Sequence, residues 1–150
     1  MGQEDRDMED RRSICKQADE VRRSAERDFR AGKPMEAYSG YGFAAQFYSL
    51  AEDSKGLAEM REQQAALYHA KGEKRSAAQF LGYAADTWER LGDSLAKGEN
   101  RGEFKAAYRR AIEDFDSALA EDFTYRPTFS AITGGVLERK ARLEEKISQL

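Results

Sequence analysis

The chain has 150 residues, 40% hydrophobic and 35% charged, with Lys plus Arg 25 against Asp plus Glu 28 for a net charge of −3. That length implies a single domain with a real core, and the high charge with only two prolines favours long, solvent-washed helices over an all-β or Pro-rich chain. A net acidic balance speaks against general nucleic-acid binding, which draws on a basic field. The lone cysteine, Cys15, can form no internal disulfide, which fits a reducing compartment. No run of about 18 apolar residues offers a membrane span. The charged start, Met1 to Arg6, has no apolar signal core, so a cytoplasmic location is expected.

Residues 1–12 form a polar lead, expected to fray or to be disordered, ahead of one helical domain over 13–150. The first helix carries an apolar stripe at Cys15, Ala18, Val21, Ala25 and Phe29. Gly32 supplies a left-handed stop, and Pro34 suits the first turn of a second helix, about residues 34–52. That helix has one face of Ala37, Tyr41, Ala44, Tyr48 and Ala51, and another of Phe43, Phe47 and Leu50. Such a helix is expected to be packed on both sides. Asp53-Ser54 caps a third helix, about 55–71, which ends at Gly72. The fourth, about 74–91, carries Ala77, Leu81, Ala84 and Trp88, and Gly92-Asp93-Ser94 is expected to break it. Gly98 and Gly102 read as a loop. The fifth, about 103–122, shows Phe104, Tyr108, Ala111, Phe115 and Ala118 or Leu119. After Thr124–Pro127, the sixth carries Phe129, Ile132, Val136, Leu143, Ile147 and Leu150, with a kink or late start expected at Gly134-Gly135.

The chain repeats itself at a shift of 40 residues. Gly32 meets Gly72, Ala37 meets Ala77, Gly42 meets Gly82, Ala44-Ala45 meets Ala84-Ala85, Tyr48 meets Trp88, and Asp53-Ser54 meets Asp93-Ser94. Small residues fall on small and large on large, as a repeated packing site requires. Gly42 and Gly82 suggest close backbone approach.

Ala65, Tyr68, Gly72, Ala77, Leu81 and Ala84 follow a small–aromatic–Gly–Ala–large–Ala spacing that resembles the tetratricopeptide-repeat family, in particular its soluble attachment-protein-like members. The first copy matches at Ala25, Gly32, Ala37, Tyr41 and Ala44, with Asp28 where the aromatic would stand. The spacing exceeds the usual repeat of about 34 residues. The resemblance implies an all-α, right-handed helical-hairpin solenoid of about six antiparallel helices with a C-terminal capping helix. Its repeats would lie at about 18–53 and 57–93, with a degenerate third pair over 103–150.

The implied function is a protein-interaction module, an adaptor or scaffold that holds a peptide or helix of a partner protein in a mixed-charge groove. Carried over by register, the groove would be lined by Asp19, Arg22, Arg23, Glu26 and Arg30 in the first copy, and by Glu59, Glu62, Ala66 and His69 in the second. The family's two-carboxylate clamp needs asparagine, and the chain has only Asn100, so no clamp of that kind is expected. The alternative is a structural subunit of a homo- or hetero-oligomer. The sixth helix could supply its seam through Val136, Leu143, Ile147 and Leu150, flanked by Glu138, Arg139, Arg142 and Lys146.

No catalytic residue, cofactor or metal site is expected. His69 is the single histidine, so paired-histidine zinc motifs are absent. Cys15 lies on an apolar stripe, and nothing in the sequence sets it beside His69. Gly40-Tyr41-Gly42 lies inside a helical pattern and is no phosphate loop. The doublets Arg11-Arg12 and Arg22-Arg23 are neutralised by neighbouring acids, and pairs such as Asp19-Glu20 and Glu144-Glu145 read as solvated faces. Dense aromatics from Tyr38 to Tyr48 read as core, with an exposed partner-binding patch as the sharper alternative.

Overall fold

In the computed structural model, which describes residues 2–98, 101–125 and 135–149, six α-helices follow one another. They are α1 (Gln3–Arg30), α2 (Pro34–Leu50), α3 (Ser54–Ala70), α4 (Lys74–Ala96), α5 (Arg101–Glu121) and α6 (Val136–Ser148). The described residues contain no strand. Each helix packs on the next in sequence.

The first three junctions share one geometry. Gly32 and Gly72 adopt φ of +77° and +76°, and Glu52 takes φ 57° at the equivalent place between α2 and α3. In each, the following amide donates back across the turn: Lys33 to Asp28, Asp53 to Tyr48 and Glu73 to Tyr68. These are left-handed C-terminal caps, which satisfy the last carbonyls of each helix. Pro34 opens α2, and the Asp53 carboxylate accepts from the Gly56 amide at 3.0 Å to cap α3.

Ala37, Tyr41, Ala44, Tyr48 and Ala51 are all buried, as their spacing predicts. The first four join Ala18 and Ala25 of α1 with Met60 and Leu67 of α3 in a first core cluster. A second cluster gathers Trp88 of α4, Phe104, Tyr108, Ala111, Phe115 and Ala118 of α5, and Val136 and Leu143 of α6. Small residues allow the close approaches. A Cβ at Gly82 would stand 1.7 Å from the Tyr125 hydroxyl, one at Gly92 2.5 Å from the Tyr108 ring, and one at Gly56 2.5 Å from Tyr48. At Gly82 the close neighbour is thus a side chain and not the backbone approach expected. Gly42 is looser, its nearest neighbour being the Gln64 amide at 3.4 Å.

Several boundaries depart from expectation. The polar lead is helical from Gln3, although every residue from Gly2 to Ser13 is exposed. Gly92-Asp93-Ser94 does not break α4, which continues to Ala96. Gly92 is a contact glycine under Tyr108, and Asp93 accepts the Tyr108 hydroxyl at 2.6 Å. Gly102 lies within α5. Helix α2 packs on α1 and on α3, but its second apolar face is not buried: Phe47 is half-buried, and Phe43 and Leu50 are exposed. Phe29, at the end of the α1 stripe, is also exposed. The readings on Asn100, Arg126 to Gly134 and Leu150 lie outside the described residues.

The seam of α6 is spent inside the chain. Val136 and Leu143 are buried and Ile147 packs against the same core. Arg139, expected to flank the seam, is 0% exposed, near Asp86 and with its guanidinium carbon 5.9 Å from the centre of the Phe115 ring. A coiled-coil partner on that seam would have to displace the chain's own core. Glu89 of α4, 1% exposed, fastens the helix by accepting from Arg142 at 3.0 Å and from Lys146 at 3.0 Å. Lys146 also donates to Asp93 at 2.9 Å.

Candidate functional site

Among the described residues no cluster of His, Cys, Asp and Glu could hold a metal ion. No helix among them is long and apolar enough to cross a membrane. The most developed site lies where α3, α4 and α5 meet. Its centre is Glu62, on the side of α3 that faces α5. Arg110 grips the Glu62 carboxylate through two hydrogen bonds, at 2.9 and 2.7 Å. The Trp88 indole donates to the same carboxylate at 3.1 Å. The Arg110 guanidinium also lies over the Trp88 ring, 5.3 Å from its centre. Bidentate, charge-assisted pairing of this kind is stronger than a neutral hydrogen bond and fixes orientation.

One turn beyond Arg110, Asp114 presents a buried carboxyl to the same Glu62. Burial pushes its pKa up to about 9, and the hydrogen bond and charge of Glu62 push in the same direction against Arg110. Near neutral pH Asp114 therefore keeps its proton. Two carboxylates could not both ionise so close together out of water.

Next to this clamp an open slot of about 670 Å³ lies along α4 and the first half of α5, with Lys55 at the start of α3 on its edge and Arg110 of the clamp in its wall. Trp88, Leu91, Leu95 and Ala107 line its apolar part, while Lys55, Glu103, Arg109 and Glu113 rim it. None of these four rim charges has an ion pair among the described residues. The slot can receive an apolar side chain while the rim contacts polar or charged neighbours.

The residues predicted to line a groove fall into separate groups. Arg22 donates to Glu26 at 3.2 Å and to Glu59 of α3 at 3.1 Å. Burial alone would lower the Arg22 guanidinium, but hydrogen bonds to Tyr48, Glu59 and Glu26 hold it above its usual value. Asp19 accepts the Tyr48 hydroxyl at 2.5 Å. Burial and that bond push the Tyr48 phenol up to about 12. His69 contacts Glu121 of α5, far along α3 from the slot. Arg23 and Arg30 are exposed and make no ion pair among the described residues. Most of the predicted lining is thus engaged within the chain, and only Glu62 belongs to the α3–α5 clamp.

Sequence reasoning missed Arg110, Asp114 and the slot around Trp88. A signal for Asp114 exists. It falls in step with Ala107, Ala111 and Ala118, all buried, so it sits on the core side of α5. Cys15 is not paired with His69; its thiol donates to Asp53 at 3.5 Å, and burial with that carboxylate raises its pKa.

Comparison of the chain with protein-family models and with curated proteins gave no match.

Proposed function

We propose that this chain is a protein-interaction module built of tetratricopeptide-like helical hairpins, which holds an apolar-anchored segment of a partner protein in the slot along α4 and α5. The observation that carries this reading is the open slot with Trp88 in its lining, its four rim charges left without an ion pair among the described residues. Ligand grooves combine an apolar lining with a few placed polar groups, and Trp and Arg dominate binding energy at such centres.

The stacked-hairpin reading is supported by constant residue offsets between alternate helices. Side chains of α1 and α3 meet at separations of 38 (Cys15–Asp53) and 37 (Arg22–Glu59). Those of α4 and α6 meet twice at 53, in Glu89–Arg142 and Asp93–Lys146. Offsets that hold along a pair fit alternate helices running in the same direction, which joins successive helices as antiparallel hairpins. In this arrangement α1, α3 and α5 form one layer. Arg23 and Arg30 would extend its charged surface.

The test uses Trp88, the only tryptophan, as a reporter. A displayed random-peptide library is selected on the wild-type protein and counter-selected on Ala106→Trp, which fills the slot from its exposed rim. The expected result is enrichment of peptides with a large apolar anchor, which shift Trp88 emission and bind the variant at least about tenfold more weakly. Peptides that bind both proteins alike, or no enrichment at all, would overturn the proposal.

A further inference from the structure

Among the described residues, the buried and half-buried arginines sit beside carboxylates, with one exception. Arg22 pairs with Glu26 and Glu59, Arg142 pairs with Glu89, and Arg139 lies 3.8 Å from Asp86. Arg61 of α3 is half-buried as well, yet it has no ion pair among the described residues. Its protein acceptor among them is neutral: Nη1 donates to the Gln64 side-chain oxygen at 2.7 Å. Nε and Nη2 are left without one. Gln64 is itself only 2% exposed, so this bond holds the guanidinium in place. The guanidinium carbon lies 5.9 Å from the centre of the Phe80 ring. Burial lowers the Arg61 pKa, against the opposing pull of the Tyr38 and Tyr83 phenols. Arginine keeps its proton all the same, and a cation drawn out of water without a counter-ion is costly.

Arg61 borders a depression of about 400 Å³ lined by α3 and α4. Ligand sites commonly measure about 300–1,000 Å³. Leu57, Phe80 and Tyr83 form its apolar part, and Asp86 and Arg90 stand in the same lining. The Phe80 and Tyr83 rings meet edge to face with centres 5.4 Å apart, and Gln79 donates to the Tyr83 hydroxyl at 2.7 Å. Asp86 is matched by Arg90 at 3.2 Å. The lining therefore carries one positive charge in excess, that of Arg61. The depression shares no lining residue with the slot along α4 and α5. On α4, Tyr83 and Arg90 fall on a different stripe from Trp88, Leu91 and Leu95.

We propose that this depression is a binding site for a carboxylate carried on an apolar body, with the acid on the Arg61 guanidinium and the body against Phe80 and Tyr83. The planar guanidinium fork matches a carboxylate through two parallel hydrogen bonds. A single excess charge suits a monoanion. A phosphate monoester carries about −1.5 to −2 near neutral pH, and nothing in the lining balances the additional charge. A nucleic acid or polyphosphate fits less well still. The adjoining depression, which shares Leu57 and Arg90, runs to the acids Glu52 and Asp53. The carboxylate can belong to a free small acid or to the C-terminal residue of a peptide, since both present the same group to Arg61.

Proton–nitrogen correlation NMR of the full chain at pH 7 tests the proposal. The acids are phenylacetate and N-acetyl-glycyl-phenylalanine, and their amides serve as neutral controls. Each is titrated to roughly 20 mM. At least one acid should give saturable shifts at the Arg61 Nε–H and at the amides of Phe80 and Tyr83, and the matching amide should bind at least about tenfold more weakly. Arg61→Gln, with unchanged circular dichroism, should weaken the acid by a similar factor, while the amides of Leu95 and Ala107 in the slot stay unmoved. The acid that binds tighter identifies the source as a free acid or a peptide end. Acid and amide are compared on the wild-type chain, so the test decides even where Arg61→Gln does not fold. Equal binding of acid and amide, shifts confined to the slot, undiminished binding by a folded Arg61→Gln, or no saturable shift with either acid would overturn the proposal. So would tighter binding of phenyl phosphate, which would assign the site to a phosphate.

Discussion

Replacing Asp114 by asparagine should remove most of the pH dependence of stability between pH 5 and 8. Asp114 is only 6% exposed and its folded pKa is raised to about 9, mainly by burial and then by Glu62. In the unfolded chain a carboxyl of this type ionises near pH 4. Between those two values the folded protein therefore holds a proton that the unfolded chain has released. Stability is highest below the unfolded pKa and falls as pH rises, by up to about 1.4 kcal/mol per pH unit, until the folded pKa is passed. The side-chain amide introduced by Asp114→Asn would still donate to Glu62 and would leave Arg110 and Trp88 in place. Urea unfolding followed by far-ultraviolet circular dichroism at pH 5, 6, 7 and 8 measures both proteins. From pH 5 to pH 7 the wild type should lose about 1–3 kcal/mol more than the variant, and at pH 7 the variant should be the more stable. Parallel profiles within about 0.5 kcal/mol would refute the protonated-acid account. A uniform loss of several kcal/mol in the variant would refute it equally.

Three further outcomes follow from the packing. Glu89→Ala leaves Arg142 and Lys146 without their buried anion; both cations reach partly to solvent, so the loss should be about 2–4 kcal/mol, read by urea unfolding, with α6 becoming the first site of limited proteolysis. Loss below about 1 kcal/mol would mean that Val136 and Leu143 hold α6 unaided. Glu52→Gly relieves a non-glycine residue at φ 57° and should raise stability by about 0.5–1 kcal/mol, seen as a higher Tm; a lower Tm would show that the surface contact with Arg11 outweighs the backbone term. Gly82→Ala drives a methyl group into the Tyr125 hydroxyl and should cost about 1–3 kcal/mol, whereas Gly102→Ala, with nothing within 4 Å, should be neutral or stabilising in the same thermal assay.

Local chemistry determined the helices, their first three junctions and one buried face. Gly32, Gly72, Pro34 and Asp53 act through their own backbone or the next turn, so their roles can be read without knowing what packs nearby. The Ala37–Tyr41–Ala44–Tyr48–Ala51 stripe is legible because helical periodicity sets which residues share a face. Tertiary structure decided what that periodicity leaves open. Gly92 has the composition of a helix stop, but Tyr108 fills the space above it and α4 continues. Phe43 and Leu50 have the composition of core, yet no helix among the described residues covers that side of α2. Arg139 looks like a solvated flank, and only the meeting of α4, α5 and α6 buries it. Glu62, Trp88, Arg110 and Asp114 come from three helices across 53 positions of sequence. Each looks ordinary in its own segment. Their clamp, and the proton Asp114 retains, arise from desolvation and charge proximity, which depend on distance in space and not along the chain.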